Sequence, residues 1–188
     1  DGVVAVHLTG YFNTIKHACV LMRQQQYGRI LSFSSGSAGG NSGQANYAAA
    51  KAGIMGMTRT VAKDMAKYGV TCNCVWPGAN TRMTASVPQA AQQIRQERGI
   101  GGGGGRPGPP GEELAPANVA PTIAYLVSDE CSDVTGHCIG ISGWTLQLID
   151  WERPLVTAHN PGGWTVDLLR TSFKPLLSQN GRISLWRV

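Results

Sequence analysis

Three short apolar runs, RILSFS (residues 29–34), VTCNCV (70–75) and HCIGIS (137–142), each follow a longer stretch whose apolar residues recur at helical spacing. Short runs without polar alternation suit strands covered on both faces. Helix then strand, three times over, is the pattern of a doubly wound parallel sheet with helices packed on it. The first helix spans residues 3–26, with Val4, Leu8, Phe12, Ile15, Cys19 and Met22 on it, and the glycine of Tyr27-Gly28 ends it. The second covers 45–67 and stops before Gly69. The third covers 117–128, with Pro121 in its first turn. Trp76-Pro77-Gly78 reads as a turn closing the second strand.

Other segments fit the pattern less well. Residues 81–98 are polar and partly helical in pattern, and GIGGGGGRPGPPGEEL (99–114) cannot be a core element. The latter is either a plain linker or a lid over a site. The division expected is a domain over 1–145 and a C-terminal extension over 146–188, where Trp151, Trp164 and Trp186 fall among mixed turns. Only about three strands are visible, whereas a complete dinucleotide-binding sheet has about six. No G-x-G-x-x-G turn follows a strand near the start, Asp1 is not a methionine, and the first residues already read as mid-helix. A fragment of a longer protein is therefore expected.

Composition narrows the class. Gly is abundant at 25 of 188 residues and charged residues make up 14%, a balance that suits an α/β enzyme domain better than a disordered or coiled-coil chain. The net charge of +5 is mild and its Lys and Arg residues are scattered, so they read as solvated surface and no nucleic-acid partner is expected. No apolar run reaches membrane-spanning length and no signal-peptide pattern opens the chain, so no membrane partner is expected either. The five cysteines (Cys19, Cys72, Cys74, Cys131, Cys138) include no C-x-x-C pair, which favours a reduced, intracellular setting. Cys72 and Cys74 would share one face of a strand, as core residues do. The four histidines (His7, His17, His137, His159) lack metal-ligand spacing, and no metal is expected.

The chemistry concentrates in GQANYAAAKAG, residues 43–53. Its alanines favour helix, and on a helix Tyr47 and Lys51, four residues apart, share a face. A phenol beside an ammonium is biased toward the phenolate, and a phenol so tuned acts as a general acid or base. A bare Tyr-x-x-x-Lys is a weak signal, since a surface pair looks the same.

The flanks add specificity. GRILSFSS, GQANYAAAKAG and VTCNCVWPG, in that order, resemble the C-terminal half of a short-chain dehydrogenase/reductase over residues 3–143 at least. The resemblance implies a Rossmann-like fold lacking its N-terminal strands, and hydride transfer between NAD or NADP and a secondary alcohol or ketone. It makes Tyr47 the base, with Lys51 lowering its pKa and holding the nicotinamide ribose. A serine at the end of the strand before the tyrosine helix would hydrogen-bond the substrate oxygen. Strand register gives Ser35, and counting back from Tyr47 gives Ser34; Ser35 is preferred because loops absorb deletions. Pro77, Gly78, Ala79 and Thr81 match the segment that holds the nicotinamide carboxamide in the family. His7, in VHLTG, takes the place of the family's relay asparagine; a proton relay and a packed helix residue are both open for it. Asn73 reads as satisfying backbone groups near its strand end.

VHLTGYF, QQYGRI, GNSGQANY, NTRMT and LIDWERP narrow the likeness to the (3R)-hydroxyacyl-CoA dehydrogenase domains of peroxisomal multifunctional enzymes type 2 and their bacterial relatives. That implies a 3-hydroxyacyl-CoA substrate and lipid metabolism, in the cytoplasm of a bacterium or a eukaryotic peroxisome. It also implies a homodimer or tetramer formed through the first two helices. The alternatives are a steroid or other alcohol dehydrogenase, a 3-ketoacyl reductase using NADPH, or a truncated non-catalytic dimerisation module. The family's glycine turn, and the residue choosing NAD over NADP, lie in its N-terminal half, so the 188 residues by themselves are expected to be inactive.

Overall fold

The computed structural model describes residues 1–82, 112–150, 160–161 and 164–171. The expected helical pattern over 83–98 and the glycine-rich stretch up to residue 111 lie outside them. Contacts divide the chain into two compact units, Asp1–Ile149 and Asp150–Val188. Of the second, residues 166–171 are helical.

The first unit is built on a four-stranded sheet in the order β1 (Gly28–Phe33), β2 (Val70–Gly78), β3 (Cys138–Ser142) and β4 (Thr145–Ile149). β1–β2 and β2–β3 pair in parallel, and β3–β4 antiparallel. Among the described residues its helices include α1 (Gly2–Val4), α2 (Gly10–Gln25), α3 (Ala45–Met65) and α4 (Ala120–Leu126), with a π-helical turn at Ala5–Thr9 joining the first two. Each sheet face has its own cluster. Ile30, Val70 and Cys72 pack with Ile15, Ala62 and Met65 of α2 and α3. Val75 and Ile141 pack with Leu126 of α4 and with Cys131. Because side chains alternate along a strand, Ile30 and Leu31 serve opposite clusters. This is the two-sided burial that lets parallel strands be apolar throughout.

The structure corrects several sequence expectations. Trp76-Pro77-Gly78 is not a turn. β2 continues through it, with Pro77 opposite Ile141 and Gly78 opposite Ser142. Val75 presents its carbonyl to Ser34 on the β1 side, and Pro77, two residues on, faces the same way. β1 has ended there, its last register pair being Phe33–Val75, so no ladder bond needs the N–H that proline lacks. The first helix is closed by Gln26 in the left-handed conformation (φ 54°), not by Gly28. Gly28 instead opens β1, where a Cβ would collide with Met22. β4 was not anticipated. Its signal was Ser-Gly-Trp-Thr: Ser142 pairs with Thr145 across a two-residue loop, and Gly143 supplies the positive φ of 56°.

Cys72 and Cys74 are buried on β2 as expected, and all five cysteines are free thiols. Burial, first of all, pushes the Cys72 thiol up to about 12. Asn73 also does what the sequence suggested. Its Nδ2 donates to the Val134 carbonyl (2.7 Å) and its Oδ1 accepts from the His137 N–H (3.1 Å), tying the loop before β3 to β2. Among the described residues, no helix is long and apolar enough to cross a membrane.

Gly69, between α3 and β2, has φ 69°, and a Cβ there would lie 2.8 Å from the Gln26 carbonyl oxygen. Gly69→Ala is therefore expected to cost about 1–3 kcal/mol, combining left-handed backbone with a backbone clash. Urea unfolding checks this; an unchanged midpoint would contradict the close approach of the two connections.

Candidate active site

The carboxyl ends of β1 and β2 and the first turns of α3 carry the residues singled out by sequence. In open parallel sheets this end is where ligands bind. Tyr47 and Lys51 stand on α3, and the Lys51 ammonium lies 5.5 Å over the Tyr47 ring. Tyr47 is half-buried and Lys51 buried. Lys51 Nζ donates to the Phe33 carbonyl at 2.7 Å, linking α3 to the last residue of β1. Burial pushes this ammonium below its ordinary pKa. Among the described residues no carboxylate forms an ion pair with it.

The two serines divide their work. Ser34 is buried, and its hydroxyl donates to the Lys51 carbonyl at 2.7 Å. It staples the end of β1 to the turn of α3 that bears Lys51. Ser35 is half-buried in extended backbone, and its Oγ accepts from the Ser37 N–H at 3.1 Å, capping the 3₁₀ turn Gly36–Gly39. Accepting leaves its own O–H proton for another partner. The structure thus occupies Ser34 internally and leaves Ser35 with a donor.

His7 sits in the π-helical turn, and its ring meets Tyr47 edge to face, centroids 5.3 Å apart at 88°. α3 approaches this turn closely because it carries glycine there: a Cβ on Gly53 would fall 2.8 Å from Leu8 Cδ1. Such π turns recur at functional sites. Pro77 and Gly78 end β2, one strand over from Ser35, and a Cβ on Gly78 would lie 2.8 Å from Ser142 Oγ. Ala79 follows half-buried, and the Asn80 N–H donates to the Leu114 carbonyl (2.8 Å) ahead of exposed Thr81.

Sequence reading missed Tyr11. Its ring lies 5.4 Å from the Lys51 ammonium, and its hydroxyl contacts both backbone groups of Phe33. The signal was its position four residues after His7.

A doubly wound sheet with a serine strand end and a Tyr-x-x-x-Lys helix at its carboxyl edge defines a class of nucleotide-dependent oxidoreductase folds. Comparison with known proteins agrees. The family described as enoyl-(acyl carrier protein) reductase matches residues 1–143, and the chain belongs to the short-chain dehydrogenase/reductase family. It is 42% identical to the 3-oxoacyl-[acyl-carrier-protein] reductase FabG of Thermotoga maritima, over 76% of this chain and 55% of that protein. It is 37% identical to the peroxisomal multifunctional enzyme type 2 of Mus musculus, over 82% of this chain and 19% of that one. A short-chain dehydrogenase structure from Mycobacterium avium superposes with TM-score 0.74 at 34% identity, covering 94% of this chain and 56% of that one. The sheet is an incomplete version of the Rossmann-like sheet of these relatives. The chain spans about half the length of the Thermotoga reductase and the Mycobacterium dehydrogenase.

Two measurements test this site. Ser34→Ala is expected to destabilise the fold by about 1 kcal/mol, the usual worth of a buried hydrogen bond. Ser35→Ala should cost less, since its cap serves one short turn; equal losses in urea unfolding would contradict this division. Lys51 has a folded pKa below its ordinary 10.5, so its charged form opposes folding at neutral pH. That penalty is relieved as pH rises from the depressed folded value toward the ordinary one. Lys51→Met should therefore gain thermal stability over wild type at pH 7, and the gain should shrink toward pH 10. A gain independent of pH would argue against the buried charge.

Proposed function

We propose that this chain is the catalytic half of an oxidoreductase that moves a hydride between NAD or NADP and a secondary alcohol or ketone, most concretely a 3-hydroxyacyl thioester and its 3-oxo form. One observation carries the reading. A buried ammonium is fixed between the Tyr47 ring and the Phe33 carbonyl, at the sheet end where ligands bind. The names of the relatives, a 3-oxoacyl carrier-protein reductase and a peroxisomal multifunctional enzyme, support acyl thioesters over steroids.

The donor set fits the nicotinamide-ribose end of such a cofactor. An ammonium has three N–H donors, and Phe33 takes one. The other two suit a vicinal diol. When bound, the cofactor supplies the hydride acceptor or donor. Lys51 would hold the ribose hydroxyls, while Pro77, Gly78, Ala79 and Thr81 would line the carboxamide end.

In the oxidative direction Tyr47 takes the hydroxyl proton as the C–H bond gives up its hydride, and in reduction it returns that proton to the oxygen. The Lys51 ammonium lies 5.5 Å over the Tyr47 ring, beside the phenol that makes this exchange. Ser35 donates to the substrate oxygen and stabilises the charge that develops there. His7, in edge contact with Tyr47, is placed to pass the proton onward. A second copy of the chain is the partner we propose for α2 and the turn before it, whose Val6, Phe12, Val20 and Leu21 are exposed.

These 188 residues alone are expected to give no reduction of NAD with a 3-hydroxyacyl-CoA. With the first four strands of a FabG-type relative fused ahead of Asp1, turnover is expected. Tyr47→Phe should then lower kcat by about 10²–10⁴-fold, the range for a lost general acid or base. Turnover that survives Tyr47→Phe unchanged would remove the catalytic reading and leave the chain as a dimerisation module.

A further inference from the structure

We infer that Asn41 is the positioning residue for Ser35: its side-chain amide hangs the 3₁₀ turn that Ser35 caps from the residue that opens the Tyr47 helix. The stretch between Ser35 and Tyr47 is a short connection, and connections are mobile unless they are bonded down. On the strand side Ser34 does this, its hydroxyl donating to the Lys51 carbonyl at 2.7 Å. Past Ser35 the hold comes from within the connection.

Asn41 supplies it. Its Nδ2 has two N–H donors and reaches two acceptors, Gln44 Oε1 at 2.7 Å and Ser37 Oγ at 3.3 Å. Its backbone carbonyl accepts from the Gln44 N–H at 3.0 Å. Gln44 is the N-cap of α3, and its carbonyl accepts from the Ala48 N–H at 2.8 Å. A polar N-cap side chain ordinarily turns back onto the first N–H groups of its helix. Gln44 makes no such bond, and its amide oxygen goes to Asn41. At the other end Ser37 is only 5% exposed. It accepts from Asn41 on its hydroxyl and donates its N–H to Ser35 Oγ at 3.1 Å. An unbroken line of bonds thus runs from α3 through Gln44, Asn41 and Ser37 to Ser35.

Because the Ser37 N–H occupies one lone pair of Ser35 Oγ, the place of the turn sets the direction left to the Ser35 proton. Asn41 sets the place of the turn. Ser35 is therefore held on both sides by α3, through Ser34 behind it and through Asn41 ahead of it, and Tyr47 stands on the same helix. Groups that act on one atom need this kind of support from a second layer of bonds. The value of the arrangement for turnover rests on the hydride-transfer reading; the hold on the turn does not.

The first test is amide hydrogen exchange in the 188-residue chain, followed by NMR. In Asn41→Ala the Ser37 N–H should exchange about tenfold faster or more, as a local opening, while the Cys74 N–H, which donates to His137 within the sheet, keeps its rate. Gln44→Met keeps the length of the side chain and removes its acceptor, and it should act in the same way. An unchanged Ser37 rate in either variant would overturn the proposal. So would an acceleration shared equally by Cys74, which marks a general loss of stability. The second test uses the fusion carrying the first four strands. There Asn41→Ala should lower kcat by about 10–10²-fold with KM little changed, as a misplacement of about 1 Å does. Where Ser35 is already alanine, the same substitution should have almost no further effect. Equal losses in the two backgrounds would show that Asn41 does not act through Ser35. A fusion without turnover, or turnover indifferent to Tyr47→Phe, would count against the hydride-transfer reading alone, and the exchange rates would still decide what Asn41 holds.

Discussion

The bond from the Lys51 ammonium to the Phe33 carbonyl is the joint on which the site depends. It ties the third helix to the end of the first strand across a buried gap, and it does so with a charge. Burying a charge is costly unless its hydrogen bonds are met. Here the Phe33 carbonyl meets one of the three, and burial keeps the ammonium below its ordinary pKa. Ser34 returns a bond to the Lys51 carbonyl, so strand and helix are stitched twice within two residues. The result is an ammonium that cannot drift, beside a tyrosine whose ring it faces.

The fold explains why that joint sits where it does. Parallel strands end together, and the chain leaves β1 and β2 at the same edge. Side-chain alternation sends Ile30, Val70 and Cys72 to one core and Val75 and Ile141 to the other. Both faces are thus filled by packing, and the polar groups with a chemical task gather where α3 and the π turn meet the strand ends. Glycine then sets the closeness of approach. Gly53 lets α3 rest on Leu8, which brings the π turn and His7 against Tyr47. Gly78 lets the end of β2 lie on Ser142.

Much of this was legible in the sequence because it is local. Three strands, three helices and the shared face of Tyr47 and Lys51 follow from periodicity and spacing. The misses have physical causes. Trp-Pro-Gly signals a turn only where its backbone has no neighbour to pair with, and here β3 supplies one. Gln26 ends a helix in a conformation glycine usually takes, so a glycine two residues on drew the boundary to itself. β4 was hidden because a two-residue hairpin leaves little turn sequence to read.

The sequence by itself determined the layered α/β order, the family, and which helix carries the phenol and the ammonium. These depend on spacings within single elements and on motifs in a fixed order. Tertiary structure alone decided how the neighbouring serines differ, since Ser34 turns into the core and Ser35 does not. It alone brought Tyr11 to Phe33, 22 residues away, and placed His7 on Tyr47. Adjacent residues in a strand point to opposite sides, and residues far apart in sequence meet only when helices close over a sheet. No local pattern encodes either outcome.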